Sequence, residues 1–120
     1  IEIALNPEIH ETLSSDRVFD GWGYTTSESL SMIKGALPET TCWASGGIRN
    51  GLDVAKSMCL GASAVGIAGK LLRPATESTE AVLTTLRQFM NELKISCFGL
   101  GVESSSDLDR SHILEINDAD

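Results

Sequence analysis

At 120 residues and a formal net charge of −8, the chain is long enough to bury the core of one domain without staples, and its charge opposes nucleic acid and anionic membrane surfaces at long range. Any phosphate held here must be held locally, by backbone amides and an arginine. Cys42, Cys59 and Cys97 form neither a disulfide framework nor a CxxC metal pair and fit a reducing cytoplasm. No apolar run nears the roughly 18 residues that span a bilayer, and Ile1-Glu2-Ile3 has no basic leader.

Residues 1–24 mix Asn6, Pro7, Gly21 and Gly23 with scattered apolar positions and read as loop, with one short helical turn near Glu8 to Leu13. Thr26 or Ser27 is expected to cap a helix carrying Leu30, Ile33, Ala36 and Leu37, which Pro38 stops. Thr40 to Ser45 is β-prone and ends on Gly46-Gly47, where a backbone can turn sharply. Leu52, Ala55, Met58 and Cys59 share the face of a second helix, with Gly61 at its C-terminal cap. Ser63 to Ala68 is a second strand, with Ala64, Gly66 and Ala68 on its small side and Val65 and Ile67 on the other. Val82, Leu83, Leu86, Phe89, Met90 and Leu93 form the stripe of a long helix, opened by Glu77 and Glu80 and running toward Phe98 before Gly99. From Ser104 the chain is Ser- and Asp-rich, and Asn117 to Asp120 are expected to be disordered.

Helix, strand, helix, strand, helix with short connections is the pattern of parallel βα units. The fold class is therefore α/β. A (β/α)8 barrel takes ~250 residues, so this chain holds about two of its units. The organisation expected is a barrel portion over 1–103 and an acidic tail over 104–120. A chain that starts without Met is expected to be a piece of something longer.

Ala44-Ser45-Gly46-Gly47-Ile48-Arg49-Asn50 lies where a strand becomes a helix, and its glycines let the main chain approach a ligand. The following helix N-terminus is expected to add unpaired N–H groups and partial positive charge, and Arg49 a charge-assisted bond. The second strand ends at Ala68-Gly69, so two neighbouring strand ends face one point. In barrels, phosphate is frequently held by the loops after the last two strands. A tight turn without ligand is the plainer reading of either turn alone.

The segment with Ser45-Gly46-Gly47-Ile48-Arg49, Leu52-Asp53-Val54-Ala55-Lys56 and Leu60-Gly61-Ala62-Ser63-Ala64-Val65-Gly66 resembles the FMN-binding end of type 2 isopentenyl diphosphate isomerases. Trp22-Gly23-Tyr24-Thr25-Thr26 resembles the opening of that family's preceding helix, and Glu92-Leu93-Lys94 through Phe98 its last helix. The resemblance covers residues 19 to about 103. It implies the C-terminal part of a TIM barrel from an enzyme of isoprenoid biosynthesis. That enzyme is a cytoplasmic homo-oligomer that isomerises isopentenyl diphosphate to dimethylallyl diphosphate using reduced FMN, Mg2+ and NADPH. The family's FMN contacts carry over to Gly47, Ile48 and Arg49 at the first turn and to Ala68 and Gly69 at the second. No catalytic or metal-binding residue carries over, because the Gly-Gly-Thr-Ser and Gln-Glu elements of that family have no counterpart here. The chain alone is expected to be inactive and to hold FMN weakly or not at all.

Two rivals remain at this level. The α-hydroxy-acid oxidases share the Gly-Gly-Ile-Arg loop, and their C-terminus resembles Arg110-Ser111-His112-Ile113. Their histidine base, however, has no counterpart beyond His10 in Glu11-Thr12-Leu13 context. Inosine monophosphate dehydrogenase shares the loop but not the Trp22 to Thr26 segment. A non-catalytic half-barrel that self-associates through Val65, Ile67 and the Leu86, Phe89 and Met90 stripe is a reading of a different class. His10 and His112 read as solvated loop residues, the cysteines as buried small hydrophobes and Trp22 and Trp43 as packing residues. Lys70 and Arg73 either reach a phosphate or point to solvent.

Overall fold

A computed structural model describes residues 19–114; the short turn expected near Glu8 to Leu13, His10 and the Asn117 to Asp120 end lie outside them. Helix α1 spans Thr26–Ala36. Its cap is Thr25, one residue before the expected position, because Glu28 stands three residues on and closes a capping box. The Glu28 carboxylate accepts from the Thr25 amide at 2.7 Å, and the Thr25 hydroxyl accepts from the Glu28 amide at 3.2 Å. Bonds from Thr25 hold the Glu28 carboxyl below its ordinary pKa.

Strand β1 is Cys42–Ser45, starting later than the β-prone stretch. Thr40 is spent on the turn before it: its amide donates to Leu37 at 3.1 Å and its carbonyl accepts from the Lys34 amine at 2.7 Å. Helix α2 is Gly51–Cys59, and Gly61 ends it with φ at 98°. Ala55 and Cys59 of the predicted face are buried, together with Gly51 and Ser57, and Met58 packs beside them, whereas Leu52 is exposed.

Strand β2 is Ala62–Gly66 and lies parallel to β1, with Ala44 beside Val65 and Ser45 beside Gly66. It stops short of the expected Ala68 because β1 has no residue left to pair with. Partner residues in parallel strands point to the same face. Cys42, Ala44 and Ala62 therefore enter a core with Leu30 and Leu60, against which Val65 packs. Trp43, Ser45, Ala64 and Gly66 share the opposite face. Among the described residues no helix covers that face, and Trp43 is 79% exposed. Trp43 is thus not packed among the described residues, and Trp22, although 82% exposed, meets the Phe19 ring edge-on at 6.0 Å.

Beyond β2 the chain forms an element that the apolar pattern does not announce, the nine-residue helix α3, Gly69–Glu77. The long helix α4 follows as Thr79–Leu100, so Glu77 closes α3 instead of opening α4. Ser78 caps α4 by accepting from the Ala81 amide at 3.1 Å. Gly101, at φ 73°, ends it just past the predicted stop. Of the surface expected for self-association, Phe89 of α4 is buried and Val65 packs on the first core, whereas Met90 is exposed.

A second core joins Ala55, Cys59, Cys97 and Leu108. All three cysteines are buried and free, as expected of small hydrophobes. Burial pushes the Cys59 thiol pKa up, with the nearby Asp109 charge adding to it. Leu108 comes from the segment read as tail, where short 3-10 turns at Ser105–Asp107 and Arg110–His112 fold the chain back over α2 and α4. The His112 ring is not free in solvent, since its Nδ1 accepts from the Asp109 amide at 3.2 Å. Leu108→Ala should leave a cavity between α2 and α4 and cost about 2–4 kcal/mol in chemical denaturation. A loss under about 0.5 kcal/mol would mean that this segment does not seal the core.

Candidate functional site

The β1 and β2 carboxyl ends sit side by side, Ser45 level with Gly66. A Cβ on Gly66 would lie 3.2 Å from the Ser45 hydroxyl, so a small residue there keeps the two strand ends close. After Ser45 the chain turns through Gly46 at φ 99° and Gly47 at φ 71°, conformations that L side chains rarely adopt. The turn is held from behind by Thr26, the first residue of α1, whose hydroxyl meets the Ser45 carbonyl at 2.9 Å and the Gly46 carbonyl at 2.8 Å. That bond, not helix capping, is the use of Thr26. Thr26→Val keeps the shape and removes the donor. It should cost about 1 kcal/mol in thermal or denaturant unfolding, and an unchanged midpoint would show that the turn stands without it.

The five residues singled out for phosphate do not contribute alike. Gly47 and Ile48 follow the turn, and their amides have no protein partner among the described residues. Space around Gly47 is open, whereas the Ile48 side chain is buried, which leaves its unpaired amide as what it can offer a ligand. Arg49 is turned to its own helix: its amide donates to the Asp53 carboxylate at 3.0 Å and its Nε lies 3.6 Å from it. The guanidinium is exposed, and at this distance the pair is weak enough to be exchanged for an anion.

The N-terminus of α2 is less open than the sequence suggests. The Asn50 side chain accepts from the Asp53 amide at 2.8 Å. The Gly51 amide donates to Glu92 of α4 at 2.6 Å. With Asp53 bonded to the Arg49 amide, the Asp53 and Glu92 carboxylates already occupy part of the positive end of α2. The second turn is the more open. Ala68 supplies no side-chain cap to α3, and the first turn of α3 holds no acidic residue. The amides of Gly69 and Lys70 are unpaired among the described residues, and nothing lies within 4 Å of a Cβ placed on Gly69. Lys70 is exposed beside them, while Arg73 pairs with Glu77 at 3.1 Å.

Sequence reading missed the helix that makes Gly69 a helix N-terminus. The available signal was punctuation: a glycine directly after a strand, then Ser78-Thr79-Glu80 as the start of another helix. A short extra helix behind the last strand is a recurrent device for phosphate in barrels. Among the described residues no three His, Cys, Asp or Glu side chains gather as a metal site, and no helix is long and apolar enough to cross a membrane.

The profile of the FMN-dependent dehydrogenases matches residues 17–115. The chain belongs to that family. FMN is the cofactor the family name carries, and the observed site fits its phosphate: adjoining glycine turns with open space where a Cβ would stand, unpaired amides and one uncapped helix start. Several curated relatives bear the name isopentenyl-diphosphate delta-isomerase. That of Mycolicibacterium gilvum is 41% identical over 95 residues, covering 79% of this chain and 28% of the relative. That of Vibrio campbellii is 44% identical over 84 residues, or 70% and 25%. That of Pseudescherichia vulneris is 42% identical over 101 residues, or 84% and 29%. This chain thus spans between a quarter and a third of the length of these relatives. A two-stranded parallel sheet with helices on one face is consistent with part of the barrel of this family.

Proposed function

We propose that the chain is the C-terminal part, about the last two βα units, of the TIM barrel of a type 2, FMN-dependent isopentenyl-diphosphate isomerase. Residues 1–103 belong to the barrel and 104–120 form its C-terminal extension. The role of this part is to hold the FMN phosphate, through the amides of Gly47 and Ile48, the Arg49 guanidinium and the Ala68-Gly69 start of α3. The observation that carries the reading is the pairing of two strand ends, Ser45 beside Gly66, each followed by a turn with unpaired amides. FMN, when reduced, supplies the chemistry of the double-bond shift, and Mg2+ and NADPH serve the same enzyme. Residues of this chain bind and orient; none transfers a proton. The substrate is isopentenyl diphosphate, and the enzyme acts as a cytoplasmic homo-oligomer.

Two features support incompleteness of the site in this chain alone. Trp43, on the face of the sheet turned away from the helices, is 79% exposed, and the chain spans between a quarter and a third of the length of its isomerase relatives. The test is a segment swap. Residues 19–114 replace the matching part of the Mycolicibacterium gilvum isomerase, and FMN content and isomerase turnover are measured. Retention of both is expected, with no turnover from the 120-residue chain given reduced FMN and Mg2+. A folded hybrid that copurifies without FMN and fails to take it up would overturn the assignment.

A further inference from the structure

We propose that Glu92, on the long helix α4 and 41 residues from Gly51 in sequence, is a positioning residue for the cofactor-phosphate turn. The inference rests on the FMN reading above and concerns what aims the turn rather than what touches the ligand. The Glu92 carboxylate accepts the Gly51 amide at 2.6 Å and is itself oriented by the Gln88 side-chain amide at 2.9 Å. Gly51 is the first residue of α2, immediately after the Gly46 to Asn50 turn. At the same residue α2 touches α4 backbone to backbone, since a Cβ there would fall 2.5 Å from both the Glu92 Cβ and the Leu93 nitrogen. The turn is therefore clamped at each end. Thr26 holds the Ser45 and Gly46 carbonyls, and Glu92 with Gly51 fixes where α2 begins, so the Gly47 and Ile48 amides between them have a set direction.

The clamp also decides which amides remain for an anion. Glu92 saturates the first donor of α2 and sets a negative charge against that helix end, whereas the first donors of α3 carry no such cap. An incoming phosphate is thus directed to Gly47, Ile48 and the start of α3, away from the α2 axis. The bonds from Gly51 and Gln88 keep the Glu92 carboxyl pKa below its ordinary value, consistent with an ionised acceptor at neutral pH.

The test uses the full barrel carrying this segment, with FMN affinity read by fluorescence titration and folding by thermal melt. Glu92→Ala is expected to weaken FMN binding on the order of tenfold, the loss of a charged hydrogen bond that orients the donors. Glu92→Gln, whose carbonyl oxygen can accept the same amide, should restore affinity to within about threefold of the parent. A merely structural loss would lower the melting temperature without this split between the variants. If Glu92→Ala binds FMN as tightly as the parent, or if Glu92→Gln is as weak as Glu92→Ala, the positioning role is wrong while the FMN reading stands. If the parent hybrid with Glu92 intact takes up no FMN, it is the functional reading that fails.

Discussion

Gly51→Ala should lower the unfolding free energy by about 3 kcal/mol or more, the largest single-residue effect expected in the described part of the chain. Glycine to alanine inside a helix ordinarily stabilises by up to about 1 kcal/mol, so the sign itself is diagnostic. The added Cβ meets the Phe89 carbonyl oxygen, the Glu92 Cβ and the Leu93 nitrogen. Backbone atoms of a packed helix have nowhere to go, and relief requires α2 and α4 to separate, which opens the core of Ala55, Cys59, Cys97 and Leu108. Gly99→Ala on α4 is the matched control, because nothing lies within 4 Å of its Cβ position. It should be neutral or stabilising by under about 1 kcal/mol. Guanidinium unfolding of the purified chain decides the matter: equal midpoints for the two variants would show that the helices do not meet at Gly51.

Gly47→Asp carries the largest functional effect. Gly47 has φ 71° and open surroundings, and the left-handed region is one that Asp and Asn enter more readily than other side chains. The Asp variant should therefore fold. Its carboxylate, however, stands where the phosphate of FMN is proposed to sit. Like charges a few ångströms apart in a partly desolvated turn repel by several kcal/mol, and salt screens only part of that. FMN affinity of the hybrid isomerase should fall on the order of 100-fold for Gly47→Asp. Gly47→Asn, with the same shape and no charge, should lose less than about tenfold. If both variants bind equally, strain and not charge governs the turn, and the phosphate lies elsewhere.

Local signals marked most of the elements. The strand-to-helix turn was legible from Gly46-Gly47, the first helix from its apolar spacing before Pro38, and the second strand from the size alternation of Ala64, Val65 and Gly66. Their ends were less legible, because ends depend on partners: β2 stops at Gly66 since β1 ends at Ser45, and the cap moved to Thr25 because Glu28 bonds it. Helix α3 escaped because Pro74 and the polar Lys70, Arg73, Thr76 and Glu77 leave only Leu71, Leu72 and Ala75 as a short apolar side. The glycine turn itself was legible, but how many of the amides around it are already bonded was not, because Asp53 and Glu92 reach the Arg49 and Gly51 amides only after folding.

By itself the sequence determined the α/β alternation, the glycine turn at Gly46-Gly47 and the kinship with flavin barrels, since these depend on covalent geometry and on residues adjacent along the chain. Tertiary structure decided which helix starts stay open to an anion, that Gly51 is a contact point rather than a flexible link, and that Leu108 belongs to the core. Those outcomes turn on atoms brought together from positions as far apart as Gly51 and Glu92. Whether a particular donor is already satisfied is a property of the packed chain, not of any local run of residues.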